Sequence, residues 1–363
     1  MRKLYTKNSY KKFHKKYAED RNIRRLKHNE WLAHKYRLQQ GVSYDNVKEN
    51  NAFKQEYPRY VKVIAPDIFS FIKNTEEVIK FIGNLKKLYD SKQKTYVVLR
   101  NIQEIDYSAI IVLLSIMVKF KAQKIYFDGN FPLNIEVKKA IIASGFFDNL
   151  YKKFEDNYSY DISKINSNGI HTHASRNVDS LLSSKLINSA SEAVWGEPRR
   201  CQGVQRTLIE LMQNTNNHAE IGKPGEKHWW LSINQNAKAK EVSFSFVDFG
   251  VGVFTNLGNK PKKSKFFGWT NKLLEAFNYT DNASLLKLIL DGELHKTVTG
   301  KHYRGKGLPG IAEVMRRNQI SNLHIITNNV FCCPSENIYK PLNASFSGTF
   351  VYWELRENNE SCK

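Results

Sequence analysis

The chain is poor in cysteine. Its 363 residues hold four, Cys201, Cys332, Cys333 and Cys362. They form no CxxC pair and no disulfide-like spacing, so a reducing, cytoplasmic setting is expected and a metal site of the Cys/His kind is not. Long apolar runs are missing too. The longest, Ala109 to Val118, is far too short to span a bilayer. No stretch reads as a signal peptide, and no membrane partner is expected. There is no GxxxxGK[ST], which excludes a P-loop nucleotide site. Acidic residues are outnumbered, 35 against 56 Lys and Arg, for a net charge of +21. Apolar content of 41% and charged content of 25% are globular values. A chain of this length has core enough for two domains.

Almost half of the charge sits at one end. The first forty residues carry 13 Lys or Arg against 3 Asp or Glu. Aromatics are mixed in: Tyr5, Tyr10, Phe13, Tyr17, Trp31 and Tyr36. From Tyr17 to Gln40 the spacing is compatible with a helix. Residues 1–56 therefore read as a basic, partly helical arm. It suits a polyanion such as nucleic acid, but it equally suits a docking helix for a protein or a solvated tail.

Residues 57–150 read as a small α/β domain. Strands are expected at Tyr60–Ile64, Thr95–Leu99 and Lys124–Phe127. Helices are expected at Thr75–Tyr89, from Asp106 through Met117, and at Ile135–Gly145. Strand and helix alternating at this length predict a small parallel or mixed sheet with helices on it. Residues 151–178 are polar and read as a linker. His171 and His173 fall there, as a possible metal pair or as ordinary loop histidines.

Chemistry gathers further on. Arg206 to His218 reads RTLIELMQNTNNH. On a helix, Glu210, Asn214 and His218 form one polar stripe. Leu208, Leu211, Met212 and Thr215 form the core-facing stripe beside it. Glu241 to Asp248, EVSFSFVD, alternates as a half-buried strand does, with Asp248 on the apolar parity. A carboxylate there needs a donor, and the exocyclic amine of a purine is one. Gly250 and Gly252 follow, where a backbone turns tightly or approaches a ligand. Arg304 to Gly310, RGKGLPG, is a Gly-rich loop entering a helix with Ile311, Val314 and Met315 on one face. Such a loop exposes N–H groups to phosphate, and Arg304 and Lys306 add charge. SGTF, Ser347 to Phe350, precedes a last strand. Taken singly, each of these stretches also reads as a solvated helix face, a turn or a cap.

In this order the four stretches resemble the GHKL superfamily of ATPases, which includes DNA gyrase B, histidine kinases and mismatch-repair MutL. The pattern ExxxNxxxH with a compact GKGL loop looks most like its anti-sigma-factor branch. The resemblance covers about Ser180 to Leu355. It implies a two-layer α/β sandwich of the Bergerat type over 179–356, with an ATP lid over 253–304. By this resemblance Glu210 orients or activates the attacking water, Asn214 holds Mg²⁺ against the phosphates, and Asp248 receives the adenine amine. Gly250 and Gly252 shape that turn. Gly305, Lys306, Gly307 and Gly310 cradle phosphates, and Thr349 lies near the adenine. The lid is basic early, at Lys260, Lys262, Lys263 and Lys265, and is expected to carry a helix, Lys272–Leu290, and to act as a mobile cover. The domain before it, with IDYSA ahead of a helix, is similar to STAS-type domains. Ser108 lies near the serine that some of these carry phosphorylated, offset by Tyr107, and reads more plainly as a helix cap.

The expected function is an ATP-binding, Mg-dependent ATPase that acts as a conformational switch on a partner. An anti-sigma-type protein serine kinase is one alternative. A non-catalytic nucleotide sensor that binds nucleic acid or a partner is another. Expected partners are a regulatory or operon-encoded protein, possibly STAS-like, a nucleic acid through the arm, and a second copy in a nucleotide-dependent homodimer.

Overall fold

A computed structural model describes residues 57, 59–151, 170–175, 177–218, 229–236, 238–250, 252–254, 282–292 and 307–360, with 12, 15–19 and 21 of the arm. The chain divides into two compact units, Met1–Tyr60 and Val61–Lys363. In the first, residues 15–19 are helical and exposed, and the Arg21 guanidinium lies 5.4 Å from the Tyr17 ring. The rest of the expected arm helix lies outside the described residues.

The second unit is α/β throughout. It opens with β1 (Val61–Ile64), β2 (Ile68–Phe69), α1 (Thr75–Asp90), β3 (Thr95–Val98), β4 (Glu104–Ile105), α2 (Tyr107–Ala122), β5 (Phe127–Gly129), α3 (Ile135–Ala143) and α4 (Phe146–Tyr151). Strands β1, β3 and β5 form a parallel sheet in that order, and β2 pairs with β4. Crossovers stepping one way with the usual right hand place α1 and α2 on the same face of that sheet. The last strand starts later than expected. Lys124 takes φ 55° and Ile125 N–H donates to the Phe120 carbonyl, so the chain is still closing α2 where a strand was read.

Helix α2 is apolar all round, and its residues Ser108 to Val118 are all buried. Such a helix must be covered on every side. Asp106 caps it by accepting from Ala109 N–H at 3.1 Å. The Asp106 carboxylate also accepts from the Ser70 and Ser108 hydroxyls. Ser108, 2% exposed, accepts in turn from Phe71 N–H at 3.0 Å. Ser108 thus ties a loop to a helix start.

The second half contains β6 (Ile170–Ser175), α5 (Ser180–Trp195), α6 (Gln202–His218), β7 (Trp229–Asn236), β8 (Glu241–Asp248), α7 (Asn282–Leu290), α8 (Gly307–Arg316), β9 (Ser321–Cys333) and β10 (Ile338–Arg356). Its sheet has the order β6-β7-β8-β10-β9, antiparallel at every pairing. Strand β6 lies in the expected linker. IHTHAS has no apolar alternation, so this edge strand is held by backbone pairing with β7. The last two strands form a long hairpin, joined by a 3-10 turn at Pro334–Glu336.

One face of this sheet carries α5, α6, α7 and α8. Leu186, Leu208, Met212, Phe244, Phe246, Leu286, Ile311 and Trp353 share that core. The region expected as a lid is described only in part. Over Asn282–Leu290 the lid region is core, because Ala283, Leu286, Ile289 and Leu290 form an apolar face that is buried. Residues 272–281 and the basic lysines lie outside the described residues.

The opposite face is covered as well. Trp230, Val247, Ile326, Phe346 and Phe350 belong to one core with α1, α2, β1 and β3. Within the second half the helices lie on one face of the sheet, and its other face is covered by the α/β half that precedes it. The half-buried reading of β8 is corrected accordingly: Val247 and Ser245 face the covering layer and are buried too.

Another correction concerns cysteine. Cys201 is disulfide-bonded, while Cys332 and Cys333 are free, buried thiols. The bond at Cys201 departs from the reading that the cysteine spacing is not disulfide-like. Among the described residues no helix is long and apolar enough to cross a membrane.

Phe71 stands at the seam between the halves, edge-on to Phe346 at 5.2 Å and Phe350 at 4.8 Å. Phe71→Ala is expected to cost about 3–5 kcal/mol. Residues 61–363 are expected to unfold in one urea transition. Two separate transitions, or a loss below about 1 kcal/mol, would show that the seam is not a shared core.

Candidate functional site

Two polar clusters form on the helix-covered face. The first is at the end of β8. Residues 242, 244 and 246 face the helices, so period two turns Asp248 the same way. Val351, Trp353 and Leu355 fix the same parity for Thr349, and Leu323 and Ile325 fix it for Thr327. Register makes these one row. Asp248 pairs with Thr349, and Thr349 pairs with Thr327.

The row is held by short-range hydrogen bonds. Asp248 Oδ1 accepts from Gly250 N–H at 2.9 Å. Thr349 gives it both backbone and side-chain hydrogen bonds. Thr327 Oγ1 donates to the Gly348 carbonyl at 3.1 Å and accepts from Val253 N–H at 3.1 Å. Asn328 Oδ1 accepts from Phe254 N–H at 3.1 Å. Two glycines are required. Gly252 takes φ 77° against the Asn328 side chain, and Gly348 takes φ 134° against the Asp248 carbonyl. A Cβ at either would collide and be strained.

Burial pushes the Asp248 carboxyl up to about 6, although hydrogen bonds from Gly250 and Thr349 and the charge of Lys119 all pull it down. A carboxylate kept in such a place costs stability at neutral pH.

The second cluster lies between α6 and α8. The core stripe of α6 is as expected: Leu208, Leu211, Met212 and Thr215 are buried. Glu210 and Asn214 share the flank, one turn apart. The Glu210 side chain is 17% exposed, and its Oε1 accepts from Arg206 Nε at 2.8 Å. Its Oε2 is buried with no hydrogen-bond partner among the described residues. That oxygen faces Gly310, in the first turns of α8, where an added Cβ would lie 3.5 Å away. The first-turn N–H groups of α8 are helix-end donors.

Placement of the expected site residues is thus uneven. Asp248, Gly250 and Thr349 come together, and Gly252 adjoins them. Glu210, Asn214 and Gly310 form the second group, with Gly307 starting α8. Gly305 and Lys306 lie outside the described residues, as do the side chains of His218, His171 and His173. Thr327, Asn328 and Lys119 were not anticipated. Only strand pairing and a packed helix bring them here, and neither leaves a local sequence signal.

No family model matches this chain, and no curated protein matches it. What the site can do is read from its geometry.

The raised Asp248 carboxyl makes a stability prediction. Its folded value lies above the unfolded one, so its contribution is fully favourable below about pH 4 and is lost as pH rises through about 6. Asp248→Asn removes the charge. It is expected to melt higher than wild type at pH 7.5, and to lose that advantage at pH 4. Equal destabilisation at both values would mean that the carboxylate is there for structure.

Proposed function

We propose that the C-terminal half binds ATP with Mg²⁺ and hydrolyses it slowly, nucleotide state acting as a switch read by a partner protein. The observation that carries this reading is the buried, unpartnered Glu210 Oε2 beside the start of α8. A buried carboxylate oxygen without a donor is costly. A ligand bearing a water or a hydrated cation would satisfy it.

The two clusters suit the two ends of a nucleotide. At one end Asp248 accepts a hydrogen bond from a purine amine, and Thr349 and the Gly250–Gly252 turn let the ring approach closely. At the other, the first-turn N–H groups of α8 meet phosphate oxygens. The Asn214 amide oxygen is a hard oxygen donor of the type that Mg²⁺ takes, so it fits the cation that the resemblance implies. When bound, Mg²⁺ neutralises charge on the phosphates. Glu210 orients the attacking water and takes its proton, and Arg206 fixes the carboxylate by holding Oε1. An antiparallel sheet with helices on one face supports a Bergerat-type reading of residues 179–356.

Turnover and binding separate the roles. Wild type is expected to bind ATP with Mg²⁺ and release phosphate. Glu210→Ala should bind ATP but lose turnover by about 10²-fold or more, and Asn214→Ala should lose Mg²⁺-dependent binding. Failure of wild type to bind ATP under any condition would refute the nucleotide reading. Binding with label passed to a protein, in place of phosphate release, would replace hydrolysis by kinase chemistry.

A further inference from the structure

Cys201 takes part in a disulfide and is 1% exposed. The chain holds four cysteines, and Cys332 and Cys333 are free thiols. Within one chain that leaves Cys362 as the partner. The described residues end at Glu360, two positions before it.

The packing around Cys201 and Glu360 agrees. Past β10 the chain turns on Asn359, which is 4% exposed. Its N–H donates to the Arg356 carbonyl at 3.0 Å, and its Oδ1 accepts from Arg356 N–H at 2.7 Å. Its Nδ2 donates to Ser321 Oγ at 2.8 Å and to Asn318 Oδ1 at 3.3 Å. Glu360 N–H donates to the Asn318 carbonyl at 2.9 Å. The tail is thereby tied to the turn between α8 and β9. That turn abuts the start of α6, where a Cβ on Gly203 would lie 2.5 Å from Gln319 Oε1 and 3.2 Å from Val314 Cγ2. Trp195, ending α5, also donates from Nε1 to the Glu357 carbonyl at 3.3 Å. Two residues beyond Glu360 extend about 7 Å at most, and a disulfide joins Cα atoms about 4–7 Å apart. The tail leaves the fold on the side where Cys201 stands.

Cys201 begins the helix that carries Glu210. Its carbonyl accepts from Gln205 N–H at 2.9 Å, which makes it the N-cap of α6. The turn that the tail grips ends α8, whose first turns set Gly310 against Glu210 Oε2. A bond at Cys201 thus fastens both helices of the second cluster at one end, away from Glu210 and Gly310.

We propose that Cys201 and Cys362 form a reducible clamp that closes the tail onto the α6–α8 pair and fixes Glu210 against the start of α8. Its effect on turnover rests on the nucleotide reading above; the bond itself does not. Formation joins the two sulfurs. Two electrons pass to a small-molecule disulfide, which takes up the two protons and leaves as two thiols. A dithiol runs the exchange backwards. With the bond open, the unfolded chain loses its cross-link, and the start of α6 is held by packing and hydrogen bonds alone.

The test uses the full chain, kept with either oxidised glutathione or dithiothreitol. Free thiols are alkylated in denaturant and the peptides mapped by mass spectrometry. With oxidised glutathione a peptide linking Cys201 to Cys362 is expected, and dithiothreitol should abolish it. Dithiothreitol should also lower the melting temperature of wild type by about 4 °C or more, and its ATP turnover by about threefold or more. Cys362→Ser, which leaves Cys201 in place, should behave as reduced wild type under both conditions. A peptide joining Cys201 to any other cysteine, no linked peptide, or a covalent dimer on a non-reducing gel overturns the pairing. The expected peptide with an unchanged melting temperature overturns the clamp. A lowered melting temperature with unchanged turnover overturns its hold on Glu210. A protein that forms the bond but never binds ATP refutes the nucleotide reading, while the melting temperature still decides the clamp.

Discussion

Helix α2 imposes the central constraint. Its buried run from Ser108 to Val118 has no polar side to give to solvent. A three-stranded parallel sheet can cover only one flank. The other flank needs a second apolar surface, and the outer face of the antiparallel sheet supplies it through Trp230, Val247 and Phe350. That sheet must therefore be apolar on both faces, as a sheet between two layers of helices is. The five buried residues of the outer face are thus no local whim of β7, β8, β9 and β10. Each full burial contributes about 1.5–3 kcal/mol, so the two halves share one core.

That sharing changes what the site can be. In a sheet open on one side, a row such as Asp248, Thr349 and Thr327 at the strand ends would answer only to the helices above it. Here its backbone is also pinned from below, through Phe249 and the layer under it. Support on both sides holds glycines 252 and 348 in conformations that residues with a side chain rarely adopt.

Legibility of the sequence followed the range of the forces. The stripe of Leu208, Leu211, Met212 and Thr215 was readable because helical spacing is local, and it set Glu210 and Asn214 on the flank. The parity of Asp248 was readable from Val242, Phe244 and Phe246. What failed was the inference from one apolar parity to one buried face. Val247 lay on the other parity, and the run WWLSI at the start of β7 fits burial on two sides better than alternation. Strand β6 was invisible because IHTHAS is held by backbone pairing, which leaves no hydrophobic period. The end of α2 was misjudged for a related reason. Boundaries there are set by packing against partners far away in sequence.

The two carboxylates sharpen the functional argument. A fold selected for stability alone would place neither Asp248 nor Glu210 where it stands. Asp248 is held against burial by Gly250, Thr349 and a distant lysine, and remains easier to protonate than a free aspartate. Glu210 keeps one oxygen on Arg206 and leaves the other buried and unanswered. Both residues face the same helical side of one sheet, one at its strand ends and the other where two helices meet. Two separate packing errors would have no reason to coincide with a Gly-rich turn at one place and a glycine-bearing helix start at the other. The elongated ligand proposed above would meet both needs, with an amine donor for Asp248 at one end and a water or hydrated cation for Glu210 at the other.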